Sequence, residues 1–181
     1  MRAIQAAGLR LVDARGYDEV TVQEIAEAAD VSPSSIYRYF ETKEGIFLWD
    51  EAESPLLAGI AARLTSDAPI EALRSAVHAL VDARFERDGS RMLRRLRLIH
   101  AVPDLEAAAR AEADQFRRAL AEILASGTGR DVGDLRNQVT AGVAVGVLTA
   151  VIEGWLAGAG RRPFAEMLDE AFDIVADGLR S

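Results

Sequence analysis

The stretch "TVQEIAEAADVSPSSIYRYF", residues 21–40, decides how this chain folds. It reads as two short helices joined by a tight turn. "TVQE" has the form of a capping box, in which the Thr21 hydroxyl satisfies a free backbone N–H while Glu24 reaches back. The inward face of that helix is Val22, Ile25, Ala26 and Ala29. After "DVS" comes a third helix, capped by Ser32 with Pro33 at its first helical position. At about 100° per residue, Ile36 and Phe40 share one side with Val31 close by, and must face the preceding helices. Ser34, Ser35, Tyr37 and Arg38 fall on the opposite or flanking sides, and Tyr39 projects nearer the packed side.

That outward face consists of small hydroxyls, a phenol and a guanidinium. Small hydroxyls let a helix approach a groove closely, arginine can read guanine edges, and tyrosine can donate to phosphate. Two helices joined this way have the layout of a helix-turn-helix. An ordinary helical hairpin with surface tyrosines fits the same spacing.

Working outward, Ile4, Ala7, Leu11 and Ala14 recur at helical spacing, and Gly16 ends that first helix. Thr42 caps a fourth helix, read as running through Ile46, Phe47 and Trp49 towards Leu64. "SDAP" opens a fifth to about Arg87, with Gly89 after it, and a sixth spans Arg91 to about Ala101. Pro103 begins a seventh that ends near Gly127. "RDVGDL" starts an eighth, apolar to about Ala159. After "GRRP" a ninth carries Phe164, Met167, Leu168, Ala171, Val175 and Leu179 on one stripe. No alternating run reads as a strand. The expectation is an all-α chain of about nine helices: a three-helix DNA-binding unit over residues 1–47, then a larger ligand-binding and dimerisation bundle over 48–181.

Composition narrows the function. The net charge of −8 argues against general affinity for nucleic acid, because unspecific binding is mostly cation-to-phosphate contact. Any DNA reader here must rely on a local site. Arginine outnumbers lysine twenty to one, and the single lysine, Lys43, sits just past the opening stretch. It suits a point-charge phosphate contact, or equally a solvated helix start. The absence of cysteine excludes disulfides and thiolate metal sites. No secretory signal is visible, and the longest uncharged run, Asn137 to Ile152, is read as too short to span a bilayer. A soluble cytoplasmic protein is expected.

With these residues in view, "GYDEVTVQEIAEAADVSPSSIYRYFETKEGIF" resembles the signature of TetR-family transcriptional regulators over about residues 4 to 47. The resemblance implies that Thr21 and Lys43 hold phosphates and that Tyr37, with Tyr39 as a partner, contacts the DNA backbone. It also implies that Ser34, Ser35 and Arg38 lie over base edges of a near-palindromic operator. Family members commonly carry a basic extension before the first helix. Here Arg2 is the only early cation, and residues 1 to 50 hold five cations against nine acids, net −4. Modest, salt-sensitive affinity is the expectation. TetR-like proteins pair through helices eight and nine, which implies a homodimer with reading helices about 34–36 Å apart. The commoner family role is repression.

In the eighth helix Gly142, Gly146, Ala150, Gly154 and Gly158 recur every four residues. Glycine costs roughly 1 kcal/mol relative to alanine in a helix, so such a row calls for close packing. The partner is either a second subunit, with Phe164, Leu168, Ala171 and Val175 of helix nine, or the chain's own neighbouring helices. Candidate pocket residues are Leu80, Phe85, Leu96, Ile99, His100, Phe116, Leu148, Ile152 and Trp155, each of which also reads as plain core. Arg91, Arg94, Arg95 and Arg97 form either a solvated face or a basic pocket mouth. "RLIHAVPDL" and "GWLAG" loosely resemble ligand domains of actinobacterial regulators that sense acyl thioesters. The effector this resemblance implies is a small, largely apolar or acyl-thioester-like molecule, expected to release the operator by binding its two states differently.

Catalysis is poorly supplied. A di-iron site wants Glu-x-x-His pairs, whereas Ser75 and Arg97 stand three residues before His78 and His100. No P-loop is present, and "GAG" at 158–160 lacks a preceding strand. No enzyme activity, metal or cofactor is expected. The competing reading is a helical adaptor that binds only protein.

Overall fold

Proline and glycine set many of the helix ends. The computed structural model describes residues 1–51, 53–64 and 68–178, with side chains outside 80–88. Among these residues the chain is all helical, with no strand. Four short elements come first: α1 (Arg2–Arg15), α2 (Val22–Ala28), α3 (Pro33–Phe40) and α4 (Lys43–Leu48). Five others follow: α5 (Glu53–Arg63), α6 (Pro69–Ala101), α7 (Pro103–Thr128), α8 (Leu135–Ala157) and α9 (Phe164–Gly178). The nine helices of the described residues are not quite the nine read from sequence.

The expected fourth helix is broken. It stops at Leu48, where Trp49 turns extended (φ −46, ψ 123), and α5 starts anew at Glu53. Pro55 explains the break: it lacks a backbone N–H and is tolerated only in a first turn, which the restart supplies. The expected fifth and sixth helices are one, a 33-residue α6. Gly89 lies inside it with no described atom within 4 Å of where a Cβ would stand. A single helical glycine weakens a helix without ending it.

Two compact units result. The first joins Met1–Asp50 to Arg97–Ala111, the corner of α6 and α7. Its core is Leu9, Val12, Val22, Ile25, Ile36, Phe40, Ile46 and Phe47, with Leu105 fully buried among them and Leu98 and Val102 packed against it. Gln5, also buried, donates its side-chain amide to the carbonyls of Ile46 (3.0 Å) and Trp49 (2.9 Å). Those carbonyls lie in the last turn and at the C-cap of α4, so Gln5 acts as a cap supplied from α1.

The second unit comprises Glu51–Leu96 and Glu112–Ser181. Ile60, Leu73, Leu120, Leu124, Leu168 and Phe172 are fully or nearly fully buried there. Arg74 ties α6 to α9 through Asp169 (2.7 Å) and Asp173 (2.7 Å), and His78 adds a 2.8 Å contact to Asp169. Burial opposes ionisation of Asp169, but the hydrogen bonds from His78 and Arg74 hold its carboxyl below the usual range.

α8 is longer and more apolar than its uncharged run suggests. At 23 residues, with mean hydropathy 1.8 over its most apolar stretch, it is long and apolar enough by composition to cross a membrane. In this fold Ala141, Ala144, Val147, Val151 and Trp155 are buried, and the helix packs beside α9.

Candidate nucleic-acid interface

The reading head is built from its caps. Thr21 and Glu24 form the capping box: the Thr21 hydroxyl accepts from the Glu24 amide (3.2 Å), and the Glu24 carboxylate accepts from the Thr21 amide (2.8 Å). The hydroxyl also donates to Glu24 (2.8 Å), and Arg15 reaches the same side chain at 2.7 Å. The hydrogen bond from Arg15, with those from Thr21, pulls the Glu24 carboxyl down to about 2.

Between α2 and α3 the chain reverses through Asp30 at φ 54. Val31 N–H bonds back to Ala26 C=O (3.0 Å) and Asp30 N–H to Glu27 C=O (3.1 Å), the paired bonds of a Schellman motif. The left-handed residue is usually glycine, and aspartate is among the side chains that tolerate it. Ser32 then caps α3 by accepting from the Ser35 amide at 3.2 Å. Ile36 and Phe40 point into the core. Ser34 and Arg38 are exposed and Ser35 half-buried. Tyr37 and Tyr39 are 47% and 52% exposed, so Tyr39 stands farther out than its helical projection suggests. The Arg38 guanidinium lies 4.8 Å over the Tyr39 ring and donates to its hydroxyl at 3.1 Å.

A tight link joins α3 to α4. Glu41 sits at φ 60 and Thr42 N–H bonds to Phe40 C=O at 2.6 Å, which is a γ-turn of the rare positive-φ kind. The Phe40 carbonyl then presses on Gly45, where a Cβ would fall far inside contact distance. Lys43 is half-buried; its ammonium donates to the Tyr17 carbonyl (2.6 Å) and lies 3.9 Å over the Tyr17 ring. Two of its three N–H groups remain available. Burial, and then the hydrogen bond to Glu44, push the Tyr17 phenol up, so it stays protonated and donating.

The pocket candidates fall in both units. Leu96 and Trp155 are buried in the second unit, and Phe116, Leu148 and Ile152 are half-buried there. Ile99 and His100 belong instead to the first unit, Ile99 buried and His100 exposed, because the end of α6 packs there. Leu80 and Phe85 lie outside the described side chains, and Leu179 outside the described residues. Trp155 is engaged within its own chain: its indole donates to Arg162 C=O (3.1 Å) and its ring meets Phe164 edge-on at 5.7 Å. Of the arginine run, Arg95 is turned inward at 6% exposure rather than solvated.

On α8, Gly142 and Gly146 meet no described atom within 4 Å, whereas Gly154 faces Met167 at 3.0 Å. Gly146, Ala150 and Gly154 are exposed. Phe164 and Leu168 are buried within their own chain, whereas Ala171 and Val175 keep partial exposure. Sequence reasoning passed over Leu135 (75% exposed) and Val139 (53%), although their spacing puts them on the face of Gly142 and Gly146.

Comparison with known proteins bears on both units. The model for bacterial regulatory proteins of the tetR family matches residues 4–48, and that for the MftR C-terminal domain matches residues 67–180. The HTH-type transcriptional regulator TcmR of Streptomyces glaucescens is 30% identical over 95% of this chain and 79% of its own length. The MftR protein of Mycobacterium tuberculosis (strain ATCC 25618 / H37Rv) is 29% identical, covering 97% and 89%. A crystal structure of the Thermus thermophilus repressor FadR in complex with lauroyl-CoA shares the fold at a TM-score of 0.54 and 24% identity, covering 98% of this chain and 94% of that one.

Proposed function

This chain belongs to the TetR family of DNA-binding transcriptional regulators, and from that premise we propose that it is a dimeric repressor whose operator is released by an apolar or acyl-thioester ligand. The observation that carries the reading is the exposed side of α3, where Ser34, Tyr37, Arg38 and Tyr39 stand clear of the buried pair Ile36 and Phe40. α3 enters the major groove, with Ser34, Ser35 and Arg38 over base edges and Tyr37 and Tyr39 toward phosphates. Lys43 spends one N–H on Tyr17 and turns the others to the DNA backbone. Thr21 redirects its hydroxyl proton from Glu24 to phosphate. The DNA contacts lie within residues 1–47, and the ligand site and dimer face lie within 48–181.

Two copies meet along α8 and α9. The exposed row of Gly146, Ala150 and Gly154, flanked by Leu135 and Val139, supports this reading because small side chains let backbones approach. The acyl-thioester class is supported by the lauroyl-CoA complex of Thermus thermophilus FadR.

The test begins with selection of duplexes from a random library by the wild-type protein. Arg38→Ala is expected to weaken the selected operator about tenfold and to relax preference at one base pair. Unchanged affinity and unchanged preference would refute the reading face. Lauroyl-CoA is then titrated into the complex, and an operator that stays fully bound removes the acyl-thioester assignment.

A further inference from the structure

We infer that Tyr39 is a positioning residue for Arg38, fixing the guanidinium for base readout and linking it to the DNA backbone. This rests on the reading of α3 as the helix that enters the groove. Neighbouring residues on a helix do not face each other, so Arg38 must fold sideways to reach the ring beside it. It does so twice over, with its guanidinium carbon 4.8 Å from the ring centroid and an Nη2–H···Oη bond of 3.1 Å. Both side chains are exposed, so no burial forces this arrangement.

The donor count shows what the arrangement leaves free. A guanidinium carries five N–H donors in a fixed fork, and one of them is committed to Tyr39. The remaining Nη1 and Nη2 hydrogens still offer the paired contact that reads guanine O6 and N7. The Tyr39 hydroxyl, accepting from Arg38, keeps its own proton for a phosphate oxygen. One side chain thus ties a sequence-independent contact to a sequence-dependent one. It also removes rotamer freedom from a long side chain before binding rather than during it.

Tyr39→Phe keeps the ring but removes both the bond from Arg38 and the phosphate contact, and the pattern of loss across duplexes tells the two roles apart. The measurement is the ratio of affinities for the selected operator and for duplexes altered one base pair at a time. The expected result is a roughly threefold drop in discrimination at the base pair that Arg38→Ala also relaxes, with other positions holding their ratios. In the double variant Tyr39→Phe should add nothing to that loss of discrimination. Equal weakening on every duplex would overturn the inference and leave Tyr39 a phosphate contact alone, as would no change at all. Wild-type protein that selects no consensus duplex defeats the reading of α3 itself, and this inference with it.

Discussion

Gly45 carries the sharpest steric demand in the reading head. The carbonyl of Phe40 occupies the place of its Cβ, and that carbonyl is already held by the γ-turn at Glu41. Gly45→Ala must therefore push α4 away from the end of α3. Overpacking of this kind costs about 1–3 kcal/mol, and thermal denaturation should show a loss in that range with operator affinity falling alongside it. A variant as stable as the wild type would mean that the α3–α4 junction yields freely. Gln5 is the other residue on which the head depends, and sequence gave no hint of it. A glutamine on an otherwise apolar face reads as a surface residue until the helix-end carbonyls it caps, forty residues on, are seen.

At the scale of the helix, α2 depends on its start. The Glu24 carboxyl is drawn from 4.5 to about 2 by Arg15 and Thr21, so it favours the folded state while ionised. That contribution is complete above its unfolded pKa and fades as pH falls through 4.5 towards 2. Glu24→Gln should melt lower than the wild type at neutral pH, with the gap narrowing between about pH 5 and pH 3. Glu44 and Asp169, also held low, are common to both proteins, so the difference between the curves isolates Glu24. A gap independent of pH would show that the carboxylate's charge plays no part. Caps such as Thr21, Ser32 and Thr42 were legible because their chemistry lies within three residues of where it acts. The break at Trp49 and the continuity through Gly89 were not. Each depends on whether tertiary packing overrides a local preference, which periodicity does not record. The same limit applied to the interface: the exposed side of α3 followed from Ile36 and Phe40, but the sideways turn of Arg38 onto Tyr39 did not.

For the whole molecule, the exposed row on α8 makes opposite demands on the chain alone and on the pair. Gly146 is exposed and has no described neighbour within 4 Å of its missing Cβ, so a Cβ there meets no described atom of its own subunit. Gly146→Leu removes a helix-weakening residue worth up to about 1 kcal/mol, and the isolated subunit should be at least as stable. Sedimentation equilibrium should nonetheless show the dimer loosened, because the leucine stands where two backbones come together. A variant that pairs as tightly as the wild type would place the contact on another face. In the proposed dimer the net charge of −8 leaves little general attraction to phosphate, so occupancy is expected to need both heads on their half-sites at once.

Leu105 lies at the centre of the head's interior, although more than fifty residues separate it from α4, and Leu98 and Val102 pack beside it. The DNA reader is therefore not a cassette that can be lifted out in one cut. A chimera spliced after Asp50 would carry four helices and leave their plug behind, exposing an oily socket in its place. Transplanting operator choice from one such regulator to another would require moving two stretches of gene together, the codons for residues 1–50 and those for the α6–α7 corner.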